Sequence, residues 1–232
     1  MSETASIAGE QPTSGKSSLH ISAIYFLNLI FSLLFQMYVA SRFGASREMD
    51  IFLVATTVVL FFSASITNPV KGVFVPSFTE RQNLESGKEW IFSNNTLLIL
   101  SFITISISII ISLCARNILG IVTSGSGPSF SSSDASLLQI QAASIPFVVI
   151  SQVVMLVLNC NSKYIASTFS MLLIPTFTIL GAMSFSYLGV TSLGVGVLLG
   201  SMCQTAFLLI NYFREARSHN GIRLSTLVSV TL

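Results

Sequence analysis

Charge is scarce in this chain. Eleven Lys and Arg and nine Asp and Glu are spread over 232 residues, 9% in all, where a soluble domain carries about 25%. So few charges cannot cover a water-exposed surface, and with 52% of the residues apolar, water is not the solvent for most of the molecule. Of the two histidines, His20 has no second ligand type at helical spacing and His219 has only Glu215 four residues before it, too few ligands for a helical metal site. The three cysteines, Cys114, Cys160 and Cys203, show neither zinc spacing nor a secreted disulfide framework, and are expected to be small buried apolar residues. No glycine-rich phosphate loop of the P-loop type is present, and every acidic residue lies outside the apolar runs. Bound ATP, a carboxylate pair for acid/base chemistry and an intramembrane proton relay therefore have no candidates. Net charge is only +2 and the basic residues lie singly, which argues against nucleic acid as a partner. No enzyme activity, cofactor or metal is expected.

What the chain does have is length without charge. Ile21–Ser41, Ile51–Val70, Ile91–Ala115 and Ala135–Ser162 contain no Asp, Glu, Lys or Arg, and Tyr164–Phe213 adds 50 more such residues. A helix rising about 1.5 Å per residue crosses a hydrocarbon core of about 30 Å in about 20 residues. Each of the first four runs is one span; the fifth is two, divided near Tyr187–Thr191. The expected fold is all-α, a polytopic integral membrane bundle of six transmembrane helices at about 20–41, 51–75, 90–114, 136–159, 164–187 and 191–213. Residues 1–18 read as a disordered N-terminus, 19–213 as the six-helix membrane lobe and 214–232 as a tail.

The basic residues sort by side. Lys16, Lys71, Arg81, Lys88, Lys163, Arg214, Arg217 and Arg223 fall on the side of the termini, and Arg42, Arg47 and Arg116 on the other. Eight against three puts both termini in the cytoplasm by the positive-inside rule. The Ser- and Gly-rich connection from Arg116 to Asp134 then lies outside as a surface loop.

Polar groups inside a span must face a partner, water or substrate, because burying them unpaired in hydrocarbon costs several kcal/mol. Tyr25, Asn28, Ser32 and Gln36 share one face of the first helix, and Thr56, Ser63, Thr67 and Lys71 one face of the second. Two such stripes predict a hydrated cavity shared by the first two helices, unless they serve only as interhelical hydrogen bonds. Lys71 is an ionisable residue at membrane depth and a functional candidate, with snorkelling to the surface as the competing reading. Asn68-Pro69 is expected to interrupt the second helix, and Pro146 and Pro175 the fourth and fifth. Gly194-x-Gly196-x-x-x-Gly200 opens the sixth with a small-residue face suited to close helix packing, and Gln204 and Asn211 continue it as a polar edge directed to the same cavity.

Arg42-Phe43-Gly44-Ala45, Asp50-Ile51-Phe52 and Val73-Phe74-Val75-Pro76 resemble the opening of the MurJ/MviN lipid II flippases. Val157-Leu158-Asn159, Tyr164-Ile165-Ala166 with Pro175, and the Gly189–Gly200 segment with Gln204 are similar to the family in matching order. The resemblance implies one lobe, the N-terminal one, of a two-lobe flippase fold in the bacterial cytoplasmic membrane. It also implies a polyprenyl-pyrophosphate-linked glycan as substrate, a lipid II-like or surface-polysaccharide precursor, with membrane lipid as a further partner. Family members carry arginines within the first two helices where this chain has none, leaving Lys71 and Arg42 as contacts for a diphosphate. Asn28, Gln36 and Asn68 would line the cavity. A second lobe or self-association is expected to complete it, since the chain stops at Leu232. The alternatives are a cation-coupled drug antiporter of the same superfamily and a non-transporting scaffold or truncated remnant. Asp50 and Glu80 are the only carboxylates placed for membrane-surface enzyme chemistry, and Asp50 reads as a helix cap.

Overall fold

A computed structural model describes residues 15–44, 46–84, 88–122 and 132–220. Nine α-helices are found among them: α1 (Gly15–Phe43), α2 (Arg47–Leu84), α3 (Lys88–Leu113), α4 (Ala115–Val122), α5 (Ser132–Ala142), α6 (Ile145–Cys160), α7 (Tyr164–Ser170), α8 (Leu173–Ser184) and α9 (Thr191–Asn220). Six stretches are long and apolar enough to cross a membrane: α1, α2, α3, the α5–α6 pair, the α7–α8 pair and α9. The protein is a multi-pass membrane protein, and an even number of crossings brings the start of α1 and the end of α9 to the same side, here the terminal side.

The helices outrun the apolar stretches that announce them. With 38 residues α2 is about 57 Å long, well beyond the hydrocarbon core, and α9 continues to Asn220. Hydropathy marks only the part of a helix inside the bilayer, so its water-exposed ends are invisible to it. Helix α1 begins at Gly15, within the stretch expected to be disordered, and residues 1–14 and 221–232 lie outside the described residues.

Proline acts differently in different spans. Pro146 and Pro175 each follow a break, at Ala143–Ser144 and at Met171–Leu172, as expected. Pro146 has no N–H for the carbonyl of Ala142, and the Ser108 hydroxyl of α3 donates to that carbonyl instead at 2.8 Å. Pro69 and Pro76 do not break α2, contrary to expectation for the former. The residues four before them, Ser65 and Gly72, are small and exposed, so ring and carbonyl separate without displacing a neighbour.

Helix α2 packs on α3, α5 and α6, whereas α1 packs mainly against α7 and α8 and joins the core near its C-terminal end. Only 6% of the apolar window of α1 is buried, and Phe26, Leu29, Leu33 and Met37 face outward. The core has two centres. On the far side Phe52, Ala55, Leu119, Leu138, Ile145 and Leu193 pack together, with Val39 of α1 reaching them. Toward the terminal side an aromatic plug joins Phe74, Phe78, Trp90 and Tyr212, the last two rings meeting edge-on at 5.3 Å.

The small-residue face of α9 is used within the chain. A Cβ on Gly196 would lie 2.7 Å from Thr178 Cα and one on Gly200 2.9 Å from Ile174 Cα, so α8 and α9 touch backbone to backbone. The cysteines differ from expectation: Cys114 is exposed at the α3–α4 turn, and Cys160 and Cys203 are only half-buried. In a bilayer the outer surface is itself apolar, so a small apolar side chain gains little from the core.

Candidate functional site

A cavity of about 340 Å³ opens between α2, α6, the α7–α8 junction and α9. Lys71, Ser151, Gln152, Asn159 and Gln204 supply its polar groups, and Val148, Met155, Leu156, Met171 and Ile174 its apolar wall. None of these lining residues is acidic.

Each side chain arrives there for a local reason. The α2 stripe advances four residues at a time, about 40° beyond a full turn per step, so it winds about 80° from Ser63 to Lys71. Ser63 and Thr67 are therefore buried against the core, while Lys71 emerges at the cavity. Thr67 returns its hydroxyl to the carbonyl of Ser63 at 2.8 Å, and Thr56 donates to that of Phe52 at 2.8 Å. Much of the expected stripe thus satisfies its own helix. Across the cavity, Pro175 breaks the span at Met171–Leu172, and Met171 and Ile174 on either side of the break form part of the wall. The contact of Gly200 with Ile174 draws α9 in, and Gln204, one turn later, reaches Ser170 Oγ at 3.5 Å and faces the cavity. Helix α6 ends with Ser162 in the left-handed region at φ 59°, stabilised by Lys163 N–H donating to Leu158 O at 2.8 Å, just beyond Asn159.

Among the described residues Lys71 has no carboxylate partner, and neither Gln152 nor Asn159 makes a side-chain hydrogen bond. Of the other cations toward the terminal side, Lys163 pairs with Glu215 at 3.4 Å and the Arg81 guanidinium lies 4.4 Å above the Phe92 ring, while Arg214 and Arg217 are exposed at the end of α9, outside the cavity. One uncompensated ammonium beside unpaired amides is an arrangement for holding an anion that also carries hydroxyl or amide groups.

The structure does not gather the remaining residues singled out in the sequence. Arg42 is exposed at the end of α1, beside the turn into α2, and Lys71 lies about 36 Å further along α2 from Arg47. Those two cations cannot grip one diphosphate together. Asn28 and Gln36 belong to α1, which contributes no residue to the wall of this cavity. Asn68 is exposed one turn before Lys71, outside the lining. Gln152 was not singled out in the sequence and Asn159 only within a motif; their spacing of seven on an otherwise apolar helix was the available signal.

Two other concavities lie on the far half. One of about 340 Å³ is lined by Glu48, Asp134, Tyr187 and Thr191 and borders the Arg47–Asp134 ion pair. The other, about 560 Å³, lies between α2 and α4, its wall apolar except for Thr57.

The family model of the lipid II flippase MurJ matches residues 39–227. The chain belongs to the MurJ family. The solved structure of a lipid II flippase MurJ in an inward closed conformation superposes with a TM-score of 0.69, at 20% identity over 86% of this chain. The chain spans 45% of that MurJ structure, and no curated protein matches it. The MurJ fold agrees with the six-span all-α bundle and with the family that the motifs resemble. The MurJ match takes in Arg42, Asn68, Lys71, Gln152, Asn159 and Gln204, and begins beyond Asn28 and Gln36.

Proposed function

We propose that this chain is one lobe of a flippase that carries a polyprenyl-diphosphate-linked glycan across the bacterial cytoplasmic membrane, as a transporter and not a catalyst. Both termini face the cytoplasm, which the distribution of basic residues supports. The observation that carries the reading is Lys71, a cation without a carboxylate partner among the described residues, in a cavity of a MurJ-family lobe. Lys71 attracts the diphosphate as a point charge while the amides around it meet polar parts of the headgroup. The lipid tail stays in or beside the bilayer. A drug antiporter coupled through an intramembrane carboxylate is disfavoured, since the lining holds none.

A second lobe faces this one across the transport path. The test is complementation: the 232-residue chain is expressed in cells depleted of their lipid-linked glycan flippase, its insertion is verified, and surface glycan is assayed with and without candidate partner chains. Export that is restored and lost again in Lys71→Ala at equal membrane abundance supports the reading. Undiminished export in Lys71→Ala removes Lys71 from the path, and a well-inserted chain that never exports with any partner supports a scaffold.

A further inference from the structure

Several amides of this bundle find protein partners, while Asn28 and Asn94 make no side-chain hydrogen bond and Gln141 leaves its Nε2 unpaired; what sets two others apart is that they line one cavity. Asn161 donates to Val157 O at 2.9 Å, Asn211 to Phe207 O at 2.8 Å, Gln139 to Ser112 O at 3.1 Å and Gln82 to Asn161 Oδ1 at 3.3 Å. Gln152 and Asn159 do not, although both are half-buried within a span. An amide left without a partner in a membrane protein is costly unless water or a ligand meets it. Seven residues of α-helix separate the two, so they stand on one face of α6, about 10.5 Å apart along the axis, with Met155 and Leu156 between them. Lys71 of α2 and Gln204 of α9 line the same cavity.

Each amide offers donors and acceptors at once, the complement of a sugar hydroxyl or acetamido group, and the apolar residues between them suit the face of a sugar ring. The volume, about 340 Å³, is at the lower end of ligand pockets, room for one ring beside the phosphates rather than for a whole glycan. We infer that Gln152 and Asn159 form a sugar subsite next to the diphosphate contact of Lys71, so that the lobe selects its lipid carrier by the first sugar as well as by charge. This inference rests on the flippase reading and names the part of the headgroup that the cavity reads.

The test uses the full chain in zwitterionic nanodiscs, where no anionic headgroup competes for Lys71. Calorimetry compares two short-chain isoprenyl diphosphate diesters of equal charge, one capped by a cyclohexyl group and the other by an N-acetylhexosamine. The wild type should bind the sugar-bearing ligand about tenfold more tightly, the effect of one or two neutral hydrogen bonds. Gln152→Leu with Asn159→Leu should erase that preference and keep diphosphate affinity, which also verifies folding. Lys71→Met should weaken both ligands alike. Equal wild-type affinities, or a double variant weakened equally toward both ligands, would overturn the subsite, as would absence of any diphosphate binding. Diphosphate binding without sugar preference leaves the flippase reading standing, and intact preference in a chain that fails to export even when a second lobe is supplied overturns that reading while keeping the subsite.

Discussion

The two ends of α2 treat positive charge in opposite ways. At the far end Arg47 is ion-paired with Asp134 at 3.4 Å, and Glu48 lies against the α8–α9 connection, its carboxylate 3.6 Å from where a Cβ on Gly189 would stand. Toward the terminal end Lys71 faces a cavity of neutral amides. The far end is closed by contacts within the chain. Arg81 in the last turn is engaged by the Phe92 ring, but Lys71 has no carboxylate partner among the described residues, and under the proposed function that open charge is what the ligand meets, since a paired charge has little attraction left.

Reversing the charge at Lys71 breaks this contrast most severely. Lys71→Glu places a carboxylate where the diphosphate belongs, and glycan export at unchanged membrane abundance should fall at least about a hundredfold, since like charges at close range cost several kcal/mol. Lys71→Arg should retain part of the activity, because the charge remains while the compact ammonium becomes a planar fork. Arg42→Ala, at the other end and outside the cavity, should leave export close to normal. Equal losses in Lys71→Glu and Arg42→Ala would show that the two ends work as one site.

How far this contrast could be read from sequence depends on which physical signal carried it. The six spans were legible because exclusion of charge over about 20 residues has few other causes. Lys71 was legible as a cation at the edge of such a run, and its separation from Arg42 follows from helical rise alone. The cavity's other walls were not. Chain order suggested that α1 and α2 share a cleft, but neighbours in space are chosen by packing, and the close approach at Gly200 with the break before Pro175 brings α9 and α7–α8 to Lys71 instead. Gln152 went unnoticed because a single amide in an apolar run looks like an ordinary interhelical hydrogen bond until its partner proves to be missing.

The wall itself offers a sharper comparison. Gly200→Val requires side-chain atoms where a Cβ alone would be 2.9 Å from Ile174 Cα, so α9 must move away from α8. Such overpacking costs about 1 to 3 kcal/mol and should lower the thermal unfolding temperature in nanodiscs. It should also weaken diphosphate binding, since Gln204 leaves the cavity with its helix. Gly120→Val provides the control: no atom lies within 4 Å of its Cβ position. If both substitutions affect binding equally, the Gly200 contact does not shape the site.

Asp134→Asn should have the smallest effect, and its smallness is informative. Asp134 is only 12% exposed in its side chain, but Arg47 is 54% exposed, and with one partner open to solvent the pair contributes about 1 kcal/mol. The substitution should lower stability by no more than that and leave export unchanged, and added salt should shrink even this difference in the wild type. A large loss of export with little loss of stability would mean that the far end is also part of the transport path, its ion pair opening and closing as the lobe moves. The carboxylates beside Arg47 would then belong to the cycle as much as Lys71 does, and the contrast between the two ends of α2 would be one between two states of a moving helix.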